Sequence, residues 1–475
     1  MEAISKHETI SLRNKHIGQS CQLFFREDPL KIVRGQAQYL YDENNEAYLD
    51  TMNNVAHVGH CHPKVVKAGV DQMTILNTNN RFLHDNIVLC AQKLISTMPE
   101  ELSVCYFVNS GSEANDLALR LAQIHTGNKD VITLEHAYHG HLTSLIDISH
   151  YKFNLPGGVG KKEHVHLASI PDVYRGIFRA GEVDNPTAGY VDEIGDMCRK
   201  NAGNVSAFIA ESMLSCGGQV LLPPGYLQGV YEHVRNAGGI CIADEVQTGF
   251  GRVGKHYWAF QLQGVVPDIV TIGKPMGNGH PIAAVVVRKE IADSFTRTGV
   301  EYFNTYGGNP VSCAIANAVM DVIETENLRE NALVVGEYLL DHCHALMKKY
   351  PLIGDVRGVG LFVGLELVLN RETKEPATKI AQYITRQLKK SRILMSVDGP
   401  FNNVLKMKPP MIFTKDNADE VFVTLDRIFK EVKEHPEFSV LMAQHNVSRV
   451  RTDSCSKEAR IKPTTISKEA IIKSI

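Results

Sequence analysis

From residue 64 onward, short apolar runs alternate with helical patterns, and this alternation restricts the fold more than any other feature of the sequence. Strands that alternate with helices are typical of a layered α/β domain with a mainly parallel central sheet. In such a sheet, ligands bind beyond the carboxyl ends of the strands. Five runs read as buried strands with polar or reactive residues directly after them: residues 103–108, 130–134, 205–210, 239–243 and 268–273.

The residues after the first strand are small and begin a helix. Ser110, Gly111 and Ser112 would lie at its N-terminus, where free N–H groups and the helix dipole favour a phosphate group. Capping of the helix by Ser110 or Ser112 is an alternative reading, and it is compatible with phosphate binding.

Aromatic and acidic residues follow the next three strands. Tyr138 and His139 follow the second strand, and an aromatic ring there can stack on a flat ligand, although core packing is the commoner role. Glu211 ends the third strand, and Asp244 and Glu245 end the fourth. Two adjacent carboxylates are costly to bury, so we expect at least one of them to have a cationic partner.

Lys274 follows the fifth strand, and the proline and glycines behind it stop a helix from starting at once. Lysines held in partly desolvated pockets have lowered pKa values, which suits Schiff-base chemistry with an aldehyde. Alone, Lys274 would be read as a surface lysine after a strand. Because all five strands are followed by polar or reactive side chains, we interpret it as the catalytic lysine of a site at this edge of the sheet.

Composition excludes several classes of function. The 475 residues are 44% hydrophobic and 22% charged, as in a soluble globular protein with a large core. The net charge of −3 provides no field for nucleic acid or an anionic membrane. The ten cysteines include no CxxC pair, which indicates free thiols and no disulfide frame or zinc site.

The remaining sequence signals concern metal binding and location. Three histidines in residues 53–63 are read as hydrogen-bonded loop residues, and no metal is expected because no second ligand cluster lies nearby. The sequence has no run long enough to span a bilayer, and its acidic N-terminus has neither a signal-peptide core nor an Arg-rich transit face. We expect an intracellular soluble protein of the cytoplasm or mitochondrial matrix, without a clear transit peptide.

The sequence divides into four predicted parts. The large α/β domain is followed by a smaller α+β domain, with strands in 354–368 and 403–413 and helices at 375–390 and 417–434. The last part is polar and predicted to be disordered. The parts are an N-terminal arm with a helix at 8–21 and a hairpin turning at 42–45 (1–63), the large domain (64–320), the small domain (321–434) and the tail (435–475).

Five motifs, NSGSEAND, AYHG, ADEVQTGFGR, GKPMGNG and NTYGGNP, occur in this order and resemble those of class III pyridoxal-phosphate aminotransferases. The resemblance covers roughly residues 20–433. It implies the fold type I architecture, with a mainly parallel central sheet flanked by helices and a smaller α+β domain. It also implies pyridoxal 5′-phosphate as the cofactor.

The resemblance implies roles for the residues around the cofactor ring. Lys274 would form the Schiff base and later act as the proton-shuttling base, while Asp244 would keep the pyridine nitrogen protonated. Val246 would pack beneath the ring, Gln247 would approach its phenolic oxygen, and Tyr138 would stack on the other face.

Other residues complete the implied cofactor site. Gly111 and Ser112 would hold the phosphate, and His139 and Glu211 are assigned to the same site. Thr305 would reach the phosphate bound by the neighbouring subunit. The active unit is therefore expected to be a homodimer, and pairing of dimers into tetramers stays open.

The sequence departs from the aminotransferase pattern at Lys406. Amino-acid aminotransferases of this class carry R-x-A-P-P, whose arginine holds the substrate α-carboxylate, whereas this sequence has KMKPP. A lysine cannot reproduce the planar two-pronged contact of an arginine with a carboxylate. The substrate is therefore expected to lack a carboxylate beside its reacting amine.

A branch of the class fits this departure, namely the phospho-lyases that act on ethanolamine phosphate or 5-phosphohydroxy-L-lysine. The sequence resembles this branch in NVAHVGHCHP, NRFLHDN, EYFNTYGGNPVSC and VLKMKPPM. The implied reaction is elimination of phosphate from a small phosphorylated amine by a carbon–oxygen lyase, with release of ammonia and an aldehyde. Lys406 and Arg81 are the candidates for binding the substrate phosphate, and a structural salt bridge is the alternative for Arg81.

Two other functions stay open. The first is a true transaminase, acting for example from alanine to glyoxylate or on an ω-amino acid. The second is a non-catalytic scaffold, against which the intact Lys274 and Asp244 argue, because a scaffold needs neither residue.

Overall fold

The N-terminal arm carries one helix and an antiparallel three-stranded unit. A computed structural model of the chain describes residues 4–452, with side chains for residues 4–444. The helix predicted to reach Cys21 ends at His16, after which Ile17 is extended. The predicted hairpin is confirmed, and its turn places Asn45 at a φ of 61°, a conformation that asparagine tolerates well. The elements are α1 (Lys6–His16), β1 (Ile32–Gln36), β2 (Tyr39–Asp42) and β3 (Ala47–Asp50).

The next part of the chain follows the predicted alternation of strands and helices. Two 3₁₀ turns, Ala259–Gln263 and Lys274–Gly277, flank the strand that leads to Lys274. The elements are α2 (Pro63–Ile75), α3 (Asp85–Ile95), β4 (Leu102–Val108), α4 (Gly111–Thr126), β5 (Asp130–Leu134), α5 (Thr143–Ile148), α6 (His150–Phe153), β6 (Val165–Ala168), α7 (Pro186–Lys200), β7 (Val205–Glu211), β8 (Met213–Leu214), β9 (Val220–Leu221), α8 (Tyr226–Asn236), β10 (Ile240–Asp244), β11 (Ile269–Ile272), β12 (Ala283–Arg288), α9 (Lys289–Thr296) and α10 (Pro310–Thr325).

A seven-stranded sheet in the order β4-β12-β11-β10-β7-β5-β6 forms the centre of this part. The five predicted strands are all present in it, and the expected mainly parallel α/β sheet is confirmed. Sequence reasoning missed β6 and β12, because it selected strands by the reactive residues at their ends. β12 runs antiparallel to both of its neighbours, so its carboxyl end lies at the opposite edge of the sheet.

Helices cover both faces of the central sheet. Along β7, Ala207 and Ile209 pack with the buried residues of α4, whereas Phe208 and Ala210 pack with those of α7 and α8. Successive side chains of a strand point to opposite faces, so a strand buried on both sides is apolar throughout. This burial makes the sheet a rigid support for the residues at its edge.

The C-terminal part forms a second, smaller α+β unit. Its sheet has the order β13-β14-β18-β17, and β16 instead pairs with β3 of the N-terminal arm. The strand predicted at 403–413 is confined to four residues. The elements are α11 (Leu328–Lys349), β13 (Ile353–Val359), β14 (Phe362–Asn370), β15 (Glu375–Pro376), α12 (Thr378–Lys390), β16 (Ile393–Leu394), β17 (Ser396–Asp398), β18 (Val404–Met407), α13 (Lys415–Glu434) and α14 (Pro436–Thr452).

The prediction that disorder begins at residue 435 is wrong for residues 436–452, which form α14. The physical reason is Phe438, which is buried and packs against the rings of Tyr383 and His435. Residues 453–475 of the predicted tail lie outside the described residues. Within the described part of the chain, no helix has both the length and the apolar character needed to cross a bilayer.

Candidate active site

A cavity of about 300 Å³ opens at the carboxyl edge of the central sheet. Parallel strands end at the same edge, which is why residues distant in the sequence meet there. Of the twelve predicted site residues, nine line this cavity: Gly111, Ser112, Tyr138, His139, Glu211, Asp244, Val246, Gln247 and Lys274. The other three predicted residues, Arg81, Thr305 and Lys406, lie outside its lining.

Asp244 is almost fully buried at the end of β10 and is held by three donors. Nδ1 of His139 and Nδ2 of Asn115 both donate to its Oδ2 at 2.8 Å, and the N–H of Val246 donates to Oδ1 at 3.1 Å. The partner of Asp244 is thus a histidine ring, which carries charge only when protonated, and no lysine or arginine of residues 4–444 pairs with either adjacent carboxylate. Neighbouring Glu245 is held by neutral donors, including the N–H of Phe260 at 2.8 Å.

Glu211 ends β7 and faces Asp244 across the neighbouring parallel strand. Its Oε1 accepts from the N–H of Tyr138 at 3.2 Å, and its Oε2 accepts from the N–H of Ser215 at 3.1 Å. Burial, followed by the nearby Asp244 carboxylate, raises the pKa of Glu211 to about 7. The site therefore holds one anchored carboxylate beside one that titrates near neutral pH.

The first turn of α4 forms a cradle suited to an anion. Ser110 is its N-cap, with Oγ accepting from the N–H of Glu113 at 3.1 Å, so the capping alternative is confirmed for this residue. Ser112 lines the cavity, and its Oγ accepts from the N–H of His141 at 3.1 Å. A Cβ atom on Gly111 would lie 2.7 Å from Cγ1 of Val246, so only glycine lets the helix start approach this wall. The unpaired N–H groups of a first helical turn favour a phosphate there.

Lys274 begins the 3₁₀ turn that follows β11 and is half-buried in the cavity wall. Pro275 stands directly behind it, and Asn278 adopts the left-handed conformation that ends the turn. Within residues 4–444, no carboxylate lies at ion-pair distance from its Nζ. An amine without a salt-bridge partner at the cavity wall is available to bond an aldehyde.

Three residues that sequence reasoning missed contact the predicted site. Asn115 lies one helical turn after Gly111 on the same face of α4, and this polar residue on a buried face was a signal that could have identified it. Ser215 supports Glu211 from the turn after β7. Lys408 is fully buried behind the cavity wall and donates to Oε1 of Gln247 at 2.5 Å. Lys408 stands where the pattern R-x-A-P-P has alanine, and this departure was the signal for it, although a lysine is rarely buried.

The three predicted residues outside the cavity have other surroundings. Lys406 lies on β18, is partly buried, and forms an ion pair with the buried Asp398. Arg81 is exposed, pairs with Glu301 at 3.2 Å and lies 3.9 Å from the ring centre of Phe303, so the salt-bridge alternative describes its contacts. Thr305 is exposed.

Comparison with known proteins identifies the family. The sequence model of the family described as aminotransferase class-III matches residues 25–429 of this chain. A Drosophila melanogaster protein named alanine–glyoxylate aminotransferase 2-like is 61% identical over 425 residues, covering 88% of this chain and 86% of that protein. A Caenorhabditis elegans protein named ethanolamine-phosphate phospho-lyase homolog 1 is 48% identical over 439 residues, covering 89% and 93%. The chain therefore belongs to the class III aminotransferase family.

A solved structure supports the same assignment. A phospholyase from Arthrobacter in complex with phosphoethanolamine matches with a TM-score of 0.84 and 38% identity, covering 89% of this chain and 99% of that one. Members of the family carry pyridoxal 5′-phosphate, which is thus the cofactor of this chain. The residues present fit this group. An anion cradle at Gly111 and Ser112, a buried carboxylate at Asp244 and an unpaired amine at Lys274 line one cavity.

Proposed function

We propose that the chain is a phospho-lyase that eliminates phosphate from a phosphorylated primary amine, either ethanolamine phosphate or 5-phosphohydroxy-L-lysine. The observation that carries this proposal is the ion pair between Lys406 and Asp398. At this position the amino-acid aminotransferases of the class hold a substrate carboxylate with an arginine. Here the side chain is a lysine whose charge is already paired, so a carboxylate on the amine carbon would find no two-pronged partner.

The relatives support the proposal from another direction. The Caenorhabditis elegans relative bears a phospho-lyase name, and the Arthrobacter structure holds phosphoethanolamine. A transaminase remains the second candidate function, since the Drosophila relative bears an aminotransferase name at 61% identity. Both reactions begin with loss of a proton from the amine carbon and differ in what leaves afterwards.

The cavity residues divide the chemistry between them. When bound, pyridoxal 5′-phosphate withdraws electrons from the amine carbon and so makes its proton removable. Nζ of Lys274, which has no competing ion pair, takes that proton. Asp244, whose carboxylate is held by three donors, would hold the pyridine nitrogen of the cofactor. In the overall reaction, the proton and the phosphate leave neighbouring carbons, and water releases ammonia and an aldehyde.

The substrate phosphate requires cationic or N–H donors, and Lys406 and Arg81 are the proposed contacts. Each has a carboxylate partner now, Asp398 for Lys406 and Glu301 for Arg81. A phosphate dianion would have to replace or share these partners. Arg81 is the more readily recruited, because its ion pair is exposed and exposed pairs are weak.

The proposed active unit is a homodimer. Exposed apolar side chains crowd the stretch from α2 through α3, a density that monomers rarely leave open to water. Thr305 lies outside the cavity of its own chain and is exposed, as a residue that completes a partner's site would be. The exposed apolar residues of this stretch are Val66, Val70, Met73, Ile75, Leu76, Phe82, Leu83, Val88 and Leu89.

The reaction is tested with the cofactor-loaded protein and each amine in turn. Ethanolamine phosphate is expected to release equal amounts of inorganic phosphate and acetaldehyde, and 5-phosphohydroxy-L-lysine is the second substrate to compare. No phosphate release from either amine would overturn the phospho-lyase proposal. Conversion of the cofactor spectrum by alanine, with recovery on adding glyoxylate, would assign the transaminase. Lys274→Ala serves as the control and should lose both reactions.

The homodimer is tested by mixing two impaired variants. Lys274→Ala lacks the base, and Thr305→Ala lacks the residue proposed to serve the partner's site. A heterodimer of the two contains one site with both native residues, so activity should reappear on mixing and exchange. Absence of recovery, together with a monomeric mass in light scattering, would contradict the shared site.

A further inference from the structure

A continuous series of hydrogen bonds joins three residues of the cavity wall, Tyr138, Glu211 and Gln247. It begins at the N–H of Tyr138, which donates to Glu211, and continues through the N–H of Ser215, which donates to the other oxygen of that carboxylate. Nζ of Lys408 then donates to Oγ of Ser215 at 2.8 Å and to Oε1 of Gln247 at 2.5 Å. Lys408 is the member of this series that touches Gln247.

The hydrogen-bond count suits a lysine without charge. Oγ of Ser215 donates its own proton to Oε1 of Gln219 at 3.1 Å, so it acts as an acceptor for Lys408. An uncharged amine has two N–H groups, and two acceptors face it here. In residues 4–444, no carboxylate lies at ion-pair distance from this Nζ, so a third proton would have no hydrogen-bond acceptor. The ring of Phe362, whose centre lies 6.0 Å from Nζ, is at the outer limit of a cation–π contact and is a weak substitute.

The nearest positive charges also favour the uncharged form of Lys408. Burial, followed by the positive charges of Lys406 and Lys274, lowers the pKa of Lys408 well below its ordinary value. The thiol of Cys216 and the carboxylate of Asp398 act in the opposite direction, but Asp398 is already paired with Lys406.

The bond from Lys408 fixes the orientation of the Gln247 amide. The oxygen end of this amide is occupied by Lys408, while its Nε2 has no hydrogen-bond partner among the residues described. Gln247 lines the cavity, so the nitrogen end is the one left to meet a bound group. A rotated amide would present an acceptor to the cavity and would lose the bond to Lys408.

We propose that Lys408 is a positioning residue of the cofactor site, which holds the Gln247 amide so that its N–H groups face the cofactor. Lys408 does not itself line the cavity, so it acts through Gln247. Both a phospho-lyase and a transaminase need the cofactor. A failed phosphate-release assay would therefore leave this inference in place.

The test is a double-mutant cycle that measures the dissociation constant of pyridoxal 5′-phosphate and its visible absorbance. Lys408→Met should weaken cofactor binding about 3- to 10-fold, the loss expected for one hydrogen bond. In the Gln247→Ala background, the same change should weaken binding less than about 2-fold, because the residue through which Lys408 acts is gone. Equal weakening in both backgrounds would overturn the proposal, and so would no weakening in either.

Two further variants guard against a folding defect. Ser215→Ala removes the other acceptor of Lys408 without touching the cavity, and it should weaken cofactor binding only when Lys408 is present. An effect of Ser215→Ala that persists in the Lys408→Met background would count against the proposal. Lys389→Met is the matched control, since Lys389 is also buried but pairs with Asp28 and should leave cofactor binding unchanged.

Discussion

Asp244 and Glu211 are paired residues at the ends of neighbouring parallel strands, yet their carboxylates are held differently. Asp244 receives two side-chain donors and one backbone donor, whereas Glu211 receives two backbone N–H groups alone. The side-chain donors of Asp244 are Asn115 and the ring of His139. At this edge of the sheet, three hydrogen bonds compensate the charge of Asp244, and Glu211 lies close enough to feel that charge.

Replacing Glu211 with glutamine should change how the stability of the cofactor-free protein depends on pH. Because the pKa of Glu211 is raised to about 7, the folded state holds this proton more tightly than the unfolded state does. Its stabilising contribution is complete below the ordinary pKa and is lost as pH rises through about 7. In urea unfolding, the free energy of unfolding of the wild type should fall by on the order of 2–3 kcal/mol relative to that of Glu211→Gln between pH 5 and 8. A constant difference across this range would contradict the shifted carboxylate.

Gly111→Ala should weaken cofactor binding by crowding Val246. The added methyl would lie 2.7 Å from Cγ1 and 2.9 Å from Cγ2 of Val246, closer than such atoms approach without moving. Overpacking of this kind typically costs about 1–3 kcal/mol, so affinity for the cofactor should fall at least about fivefold. Val246→Ala removes both crowding atoms, and the double variant should therefore bind the cofactor more tightly than Gly111→Ala alone. If the second change gives no recovery, crowding is not the cause.

The sequence was a good guide to residues that lie at or just beyond the carboxyl ends of parallel strands. Lys274, Asp244 and Glu211 each stand at such a position, and parallel pairing brings those positions to one edge whatever the rest of the chain does. Asn115 reaches the same edge from a helix face and Lys408 from the end of an antiparallel strand of another sheet. Their contacts depend on how separate layers pack, which local pattern does not encode.

Asp398→Ala should destabilise the protein strongly, because it leaves the ammonium of Lys406, whose side chain is only 15% exposed, without its partner. Removal of one member of a buried ion pair typically costs about 3–5 kcal/mol. The double variant Asp398→Ala with Lys406→Met should recover much of that loss, as measured by urea unfolding. Asp71→Ala is the exposed control, since the pair of Asp71 with Lys67 is open to solvent and should be worth less than about 1 kcal/mol. Equal losses from both single variants would argue against a buried pair.

Lys408→Met should alter the pH dependence of stability in the direction opposite to that of Glu211→Gln. Since burial and two nearby lysines lower the pKa of Lys408, the unfolded chain binds its proton more tightly than the folded chain does. Stability of the wild type should therefore rise with pH up to the ordinary lysine pKa, by at most about 1.4 kcal/mol per pH unit for one proton. Lys408→Met lacks this proton. The free energy of unfolding of the wild type, measured with urea, should therefore increase relative to that of the variant between pH 7 and 10. A parallel pH dependence of the two proteins would mean that Lys408 is charged in the fold, and would remove the argument from its two hydrogen-bond acceptors.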